Sequence, residues 1–233
     1  MRVFILCMLL SIHLSCSSNN IAEPYTELTT EEKAKKALDD QDFTAAIELY
    51  ESLISADETA YGYYRFLAAA YAGAGGFEVL SAIKQTLNNA SQGSGGSIVD
   101  LTASLLPANP TDKQIEMIGK ARDQLLALPA AYRDSENADI EDSVSAATQL
   151  SLYSTASAMI IINKYTYTPT DGSQAPDIND MTDAEVDQFF ANLQAAASQS
   201  DGSVSSSIEE TINAIDSKPG ASRREKLIAY MEG

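Results

Sequence analysis

A Ser or Thr standing three residues before a Glu or Gln recurs along this chain as a helix-start signal: Thr29 and Glu32, Thr111 and Gln114, Thr182 and Glu185, Ser206 and Glu209, Ser222 and Glu225. At that spacing the hydroxyl accepts the amide of the later residue, and the later side chain accepts the amide of the first. Two of the unpartnered donors at a helix start are satisfied together. Gly and Pro gather between these starts, at 73–76, 93–96, 107–110, 169–176, Gly202 and Pro219-Gly220, where helices stop. Strand-like alternation is nearly absent. Met159-Ile160-Ile161-Ile162 is β-branched, but Ala146, Leu150, Tyr153 and Ser157 lead into it at helical spacing, predicting one long helix from about Ile140 to Ile162. Gln149 and the Ser and Thr residues of Val144 to Ile162 make that helix a buried central one rather than a membrane span. With 45% hydrophobic residues the chain can bury a core. The expected class is all-α: helical hairpins continued by further helices in a solenoid or bundle.

The N-terminal part of this pattern repeats. A shift of about 34 residues lays Ala34 on Ala68, Ala37 on Tyr71, Asp42-Phe43 on Gly76-Phe77 and Leu53 on Leu87. Two hairpins are predicted, 29–40 with 43–56 and 58–73 with 77–90, turning at Asp40-Gln41-Asp42 and at Gly73 to Gly76. Ala34, Ala46 and Ala68 allow close helix approach, while Phe43, Tyr50, Phe77 and Leu87 fill the space between hairpins.

In period and in these residues the segment resembles the tetratricopeptide repeat, although Leu80 and Lys84 depart from its pattern and Glu58 and Gln92 stand where the family has Pro. The resemblance implies a concave face built from the first helix of each hairpin. Its positions are Leu28, Glu31, Lys35, Leu38 and Asp39, then Gly62, Arg65, Ala69, Ala72 and Gly73. Lys35 and Arg65 could grip a partner's carboxylate there. The competing reading makes them ordinary surface charges pairing with Glu31 or Glu58. Tyr64, Leu67, Ala68 and Tyr71 share a core stripe, whereas Tyr61 and Arg65 lie on a flank that could serve as an aromatic platform. The candidate partner-binding residues are therefore Lys35, Asp39, Tyr61 and Arg65.

Charge excludes one class of partner. The 33 acidic residues outnumber 15 basic ones for a net −18, a surface that repels nucleic-acid phosphates. Solubility accounts for this imbalance; capture of a cationic ligand is the sharper alternative.

The N-terminus bears on compartment. Arg2 precedes an apolar run, Val3 to Leu14, broken by Ser11 and His13 and too short to span a bilayer. It leads to Leu14-Ser15-Cys16-Ser17-Ser18-Asn19-Asn20, which resembles the lipobox of bacterial lipoproteins; Ser15 conforms, while His13 and Leu14 depart from its preferred residues. An ordinary secretory signal and an uncleaved anchor are the other readings. The resemblance implies cleavage before Cys16 and acylation of that cysteine, with Ser17 after it leaning to the outer membrane. Each buried methylene of such acyl chains contributes about 0.8 kcal/mol, so several chains hold stably.

Cleavage there would also remove His13 and Cys7, the sole histidine and the other cysteine. The mature chain would then have no Ser-His-Asp or Cys-His catalysis, no His-ligated zinc and no structural disulfide. Asp177 to Glu185 is acidic enough to suggest a calcium loop, but it lacks the EF-hand Gly and Glu, and a capped helix start accounts for it better. Carboxylate pairs abound without any motif isolating one. No catalytic residue, metal or cofactor is expected.

The expected organisation is a signal peptide over 1–15, a lipidated N-terminus and tether over 16–26, two tetratricopeptide-like hairpins over 27–92, and a helical region over 97–233 packing on them. The expected function is that of a non-enzymatic, membrane-anchored adaptor or scaffold in the bacterial envelope, binding a protein or peptide on the periplasmic face of the outer membrane. The alternative is a periplasmic small-molecule-binding lipoprotein of a solute-transport system, with its pocket between the hairpins and the long helix.

Overall fold

Thr29, Thr111 and Thr182 each close the reciprocal cap with Glu32, Gln114 and Glu185, starting three helices where the sequence places them. Ser222 accepts the Glu225 amide and so opens the last helix, while the Glu225 carboxylate takes the neighbouring Ala221 amide instead. Ser206 differs from expectation: it lies one turn inside a helix that already begins at Gly202. A glycine read as punctuation is there a first helical residue.

The computed structural model describes residues 27–77, 102, 105–134, 143–166, 178–199 and 202–232. They are all-α. The helices are α1 (Thr30–Asp39), α2 (Phe43–Ala56), α3 (Gly62–Ala74), α4 (Asp112–Leu126), α5 (Ser143–Thr166), α6 (Asp183–Ser198), α7 (Gly202–Asp216) and α8 (Arg223–Met231). Short 3-10 turns stand at Ala130–Tyr132 and Ile178–Asp180. Each helix packs on the next in chain order; α8 also folds back on α6, and both 3-10 turns rest on α5. The result is a bundle of helical hairpins. Cys16, the predicted signal and tether, Leu87 and nearly all of the second hairpin's 77–90 arm lie outside the described residues.

The predicted first hairpin is present as α1 and α2, and the first arm of the second as α3. Ala34, Ala46 and Ala68 are wholly buried, as close helix approach requires, and so are Tyr50 and Phe77. Phe43 lies over Gly73, where an added Cβ would sit 2.3 Å from its ring. Both α1 and α3 close with the same motif. The Asp42 amide reaches back to the Ala37 carbonyl and the Phe77 amide to that of Ala72, with a left-handed residue before each: Gln41 at φ 61° and Gly76 at φ 83°. From Ala34 to Gln41 is seven residues and from Ala68 to Gly76 is eight. Matched at the buried alanines, α3 therefore runs one residue longer than α1 before it stops, and the repeat spacing slips by that residue.

The long helix α5 is the centre of the core. It runs to Thr166, past the expected Ile162, and carries Ala146, Leu150, Tyr153, Ala156, Ala158 and Ile160 at 1% exposure or less. Ser157 donates to the Ile118 carbonyl of α4 at 3.3 Å, and Arg122 of α4 donates to the buried Asn192 of α6. One continuous apolar cluster runs from Ala34 to Leu227. Among the described residues no helix is long and apolar enough to cross a membrane.

Candidate functional site

Glu31, Lys35 and Asp39 follow one another at i, i+4 and i+8, so they form a single stripe along α1. The Lys35 ammonium donates to Glu31 Oε1 at 2.6 Å, and Tyr63 of α3 donates its hydroxyl to Glu31 Oε2 at 2.9 Å. Those bonds hold the Glu31 carboxyl below its ordinary range, the Lys35 bond most strongly, and raise Lys35. Because α1 to α2 and α2 to α3 are successive packed turns of the chain, α1 and α3 run in the same direction. One turn beyond the Glu31–Tyr63 bridge lie Lys35 on one helix and Phe66 on the other.

Tyr50 of α2 forms the floor beneath them. Its ring is fully buried, stacks on Phe66 at 5.6 Å with 15° between planes, and lies 6.2 Å from Tyr63. Its hydroxyl has no hydrogen-bond partner among the described residues. Burial first, then the charges of Glu31 and Asp39, push its pKa up to about 12, so the phenol keeps its proton. Phe66 remains 37% exposed and Leu28, just before α1, 45% exposed. Asp39 is exposed and makes no hydrogen bond or ion pair among the described residues; Lys36 pairs with Asp40 beside it.

The predicted partner-binding quartet is divided by α3. Tyr63 and Phe66 face α1 and α2. Tyr61 and Arg65 lie about half a turn round the helix, on the opposite side. Tyr61 packs on Tyr132 at 4.5 Å and on Tyr64 at 6.2 Å. Arg65 is half-buried, and its charge is felt at Tyr153 of α5, whose pKa burial raises. Lys35 and Asp39 thus share a face from which Tyr61 and Arg65 point away. Of the second set of groove positions, Gly62 is exposed and Arg65 and Ala69 are half-buried, whereas Ala72 is wholly buried and Gly73 backs onto Phe43. For Lys35 the ordinary helical pair with Glu31 is what forms. Tyr63 and Phe66 are the residues that sequence reasoning passes over; the signal was their spacing of three, which puts them on one face of a helix start dense in aromatics.

A second polar locus sits behind α3. Gln149, Tyr153 and Ser154 of α5 hold side-chain oxygens that are buried and without a hydrogen-bond partner among the described residues. Gln149 and Tyr153 are one turn apart on the same face, with Arg65 opposite and the Phe77 ring edge-on to Tyr153 at 6.3 Å.

The described part of the acidic run, 178–185, forms a helix entrance. From Ile178 it makes a 3-10 turn, buries Met181 and caps α6 through Thr182. Burial raises the Glu185 carboxyl, but hydrogen bonds from the Thr182 amide and hydroxyl and from Tyr165, with the charge of Lys164, outweigh that and bring it to about 2. Among the described residues no group of His, Cys, Asp and Glu is placed to hold a metal ion. Compared with family models, with curated proteins and with solved structures, the chain matches none.

Proposed function

We propose that the chain is a lipid-anchored, non-enzymatic lipoprotein of the bacterial envelope. It carries its lipid on Cys16 and acts as an adaptor whose α1–α3 face, tetratricopeptide-like in its first hairpin, binds a protein or peptide. One observation carries the reading. Phe66 stands over a third exposed on the buried Tyr50 ring, one turn along α3 from Tyr63, which bonds the charged stripe of α1 at Glu31. An exposed aromatic anchor rimmed by polar groups is the usual composition of a recognition surface rather than of plain solvent-facing helix.

The test takes both halves of the proposal. Radioactive palmitate should label the wild-type protein in a bacterial host and fail to label Cys16→Ala. Chemical cross-linking in intact envelopes should give a discrete adduct that Phe66→Glu abolishes. Undiminished labelling of Cys16→Ala refutes the anchor, and adducts unchanged in Phe66→Glu refute the adaptor.

The alternative, a small-molecule-binding lipoprotein of a periplasmic solute-transport system, draws on the unpartnered oxygens of Gln149, Tyr153 and Ser154. A buried hydroxyl without a partner costs about 1–3 kcal/mol unless water or a ligand meets it. Tyr153→Phe separates the cases. It stabilises the protein or leaves it unchanged if nothing bonds the hydroxyl, and destabilises it if something does.

A further inference from the structure

We infer that the α1–α3 face recognises a cationic side chain, an arginine or lysine of a partner segment, held between the Phe66 ring and the carboxylates of Asp39 and Glu31, with the Tyr50 hydroxyl as a further acceptor. This rests on the adaptor reading and names the partner's chemistry.

Four observations lead to it. First, the rings of Tyr63 and Phe66 lie 6.2 and 5.6 Å from that of Tyr50, Phe66 is left exposed, and an aromatic face attracts a cation through its quadrupole. Second, the segment that carries α1 and α2 is rich in negative charge. Residues 27–58 hold ten carboxylates (Glu27, Glu31, Glu32, Asp39, Asp40, Asp42, Glu48, Glu51, Asp57 and Glu58) against Lys33, Lys35 and Lys36. Third, Asp39 occupies the last turn of α1, where the helix dipole disfavours an anion; Lys36 feels its charge but bonds Asp40, and among the described residues no cation forms an ion pair with Asp39. Fourth, the Tyr50 hydroxyl is wholly buried beneath the face, within electrostatic reach of both Glu31 and Asp39, and unpartnered.

The chain already shows the interaction in miniature. Lys35 holds Glu31 at 2.6 Å from within the same helix, over half of its side chain exposed. A partner's guanidinium can take the vacant Asp39, stack on Phe66 and compete with Lys35 for Glu31. Lys35 is then a competitor of the partner. The carboxylate-gripping role expected from the repeat resemblance gives it the opposite sign.

The experiment uses the purified full-length protein and a short amphipathic arginine–leucine peptide, compared with the same peptide carrying citrulline for arginine, by isothermal titration calorimetry. The arginine peptide should bind and the citrulline peptide should bind at least about tenfold more weakly. Asp39→Asn and Phe66→Leu, the latter keeping the apolar surface and removing the ring, should each weaken the arginine peptide several-fold without changing the melting temperature. Lys35→Ala should tighten it. Glu209→Gln on the remote α7 should leave it unchanged. Equal affinity for the two peptides, no effect of Asp39→Asn and Phe66→Leu, or weaker binding by Lys35→Ala overturns the inference. Failure of the adaptor reading looks different. Peptide discrimination would persist while Phe66→Glu left the envelope cross-links unchanged. Conversely, cross-links lost in Phe66→Glu with no arginine preference would retain the adaptor and discard the cation.

Discussion

Helices α1 and α5 are made on different terms. In α1, ten residues long, only Ala34 is buried, and the helix is held by its Thr29–Glu32 cap, its closing turn at Gln41 and two i,i+4 ion pairs. In α5, 24 residues long, burial runs along most of its length, and even Ser151, Ser154, Thr155 and Ser157 are enclosed. A helix secured by its own caps leaves its side-chain stripe available for recognition. One secured by burial commits nearly every side chain to the fold, and its polar groups must then be satisfied inside or left wanting. The proposed partner surface draws on the first kind, and the unpartnered oxygens of Gln149, Tyr153 and Ser154 belong to the second.

Substitutions should separate the two in order of size. Leu150→Ala in α5 should cost about 3 kcal/mol, read as a lower urea midpoint, because the cavity cannot collapse against helices on several sides. Next comes the joint of α5 with α6. The folded Glu185 pKa, about 2, lies below its unfolded value, so its contribution is complete above the unfolded pKa and is lost as pH falls from about 5 toward 2. Glu185→Gln should therefore lower stability by about 2 kcal/mol at neutral pH and flatten the acid limb of the stability curve. Thr29→Ala should cost about 1 kcal/mol by removing the α1 cap, with fraying confined to α1 in amide exchange. Lys35→Ala should leave the denaturation midpoint unchanged, since an exposed pair contributes little. A midpoint lowered as much as by Leu150→Ala would remove the contrast.

The sequence revealed the architecture because its signals were local. Caps at Thr29, Thr111 and Thr182, the small residues at 34, 46 and 68, and the spacing through Leu150 and Tyr153 act within a few residues. It misplaced the start of α7, because a capping pair inside a helix looks the same in sequence as one at its end; Ser206 has the right neighbour three residues on and the wrong position. The site was half legible. Lys35 and Asp39 do share a stripe, but Arg65 was grouped with them by correspondence between repeats, and Tyr61 by its place beside Arg65 on a flank of α3. Which side of α3 meets α2 depends on packing against Tyr50 and Phe43, which no periodicity within α3 reports. That rotation turns Tyr61 and Arg65 toward Tyr132 and Tyr153 and brings Tyr63 and Phe66 to the α1 side.

Phe66 and Leu126 are both large apolar side chains left exposed, at 37% and 41%, one on the proposed recognition face and the other at the end of α4. A photo-activated phenylalanine analogue placed at each position in turn, in the full-length protein in living cells, compares them directly. The account predicts one discrete adduct from position 66, abolished by Asp39→Asn, and none from position 126. Equal adducts from both positions, or an adduct at 66 indifferent to Asp39, would contradict it.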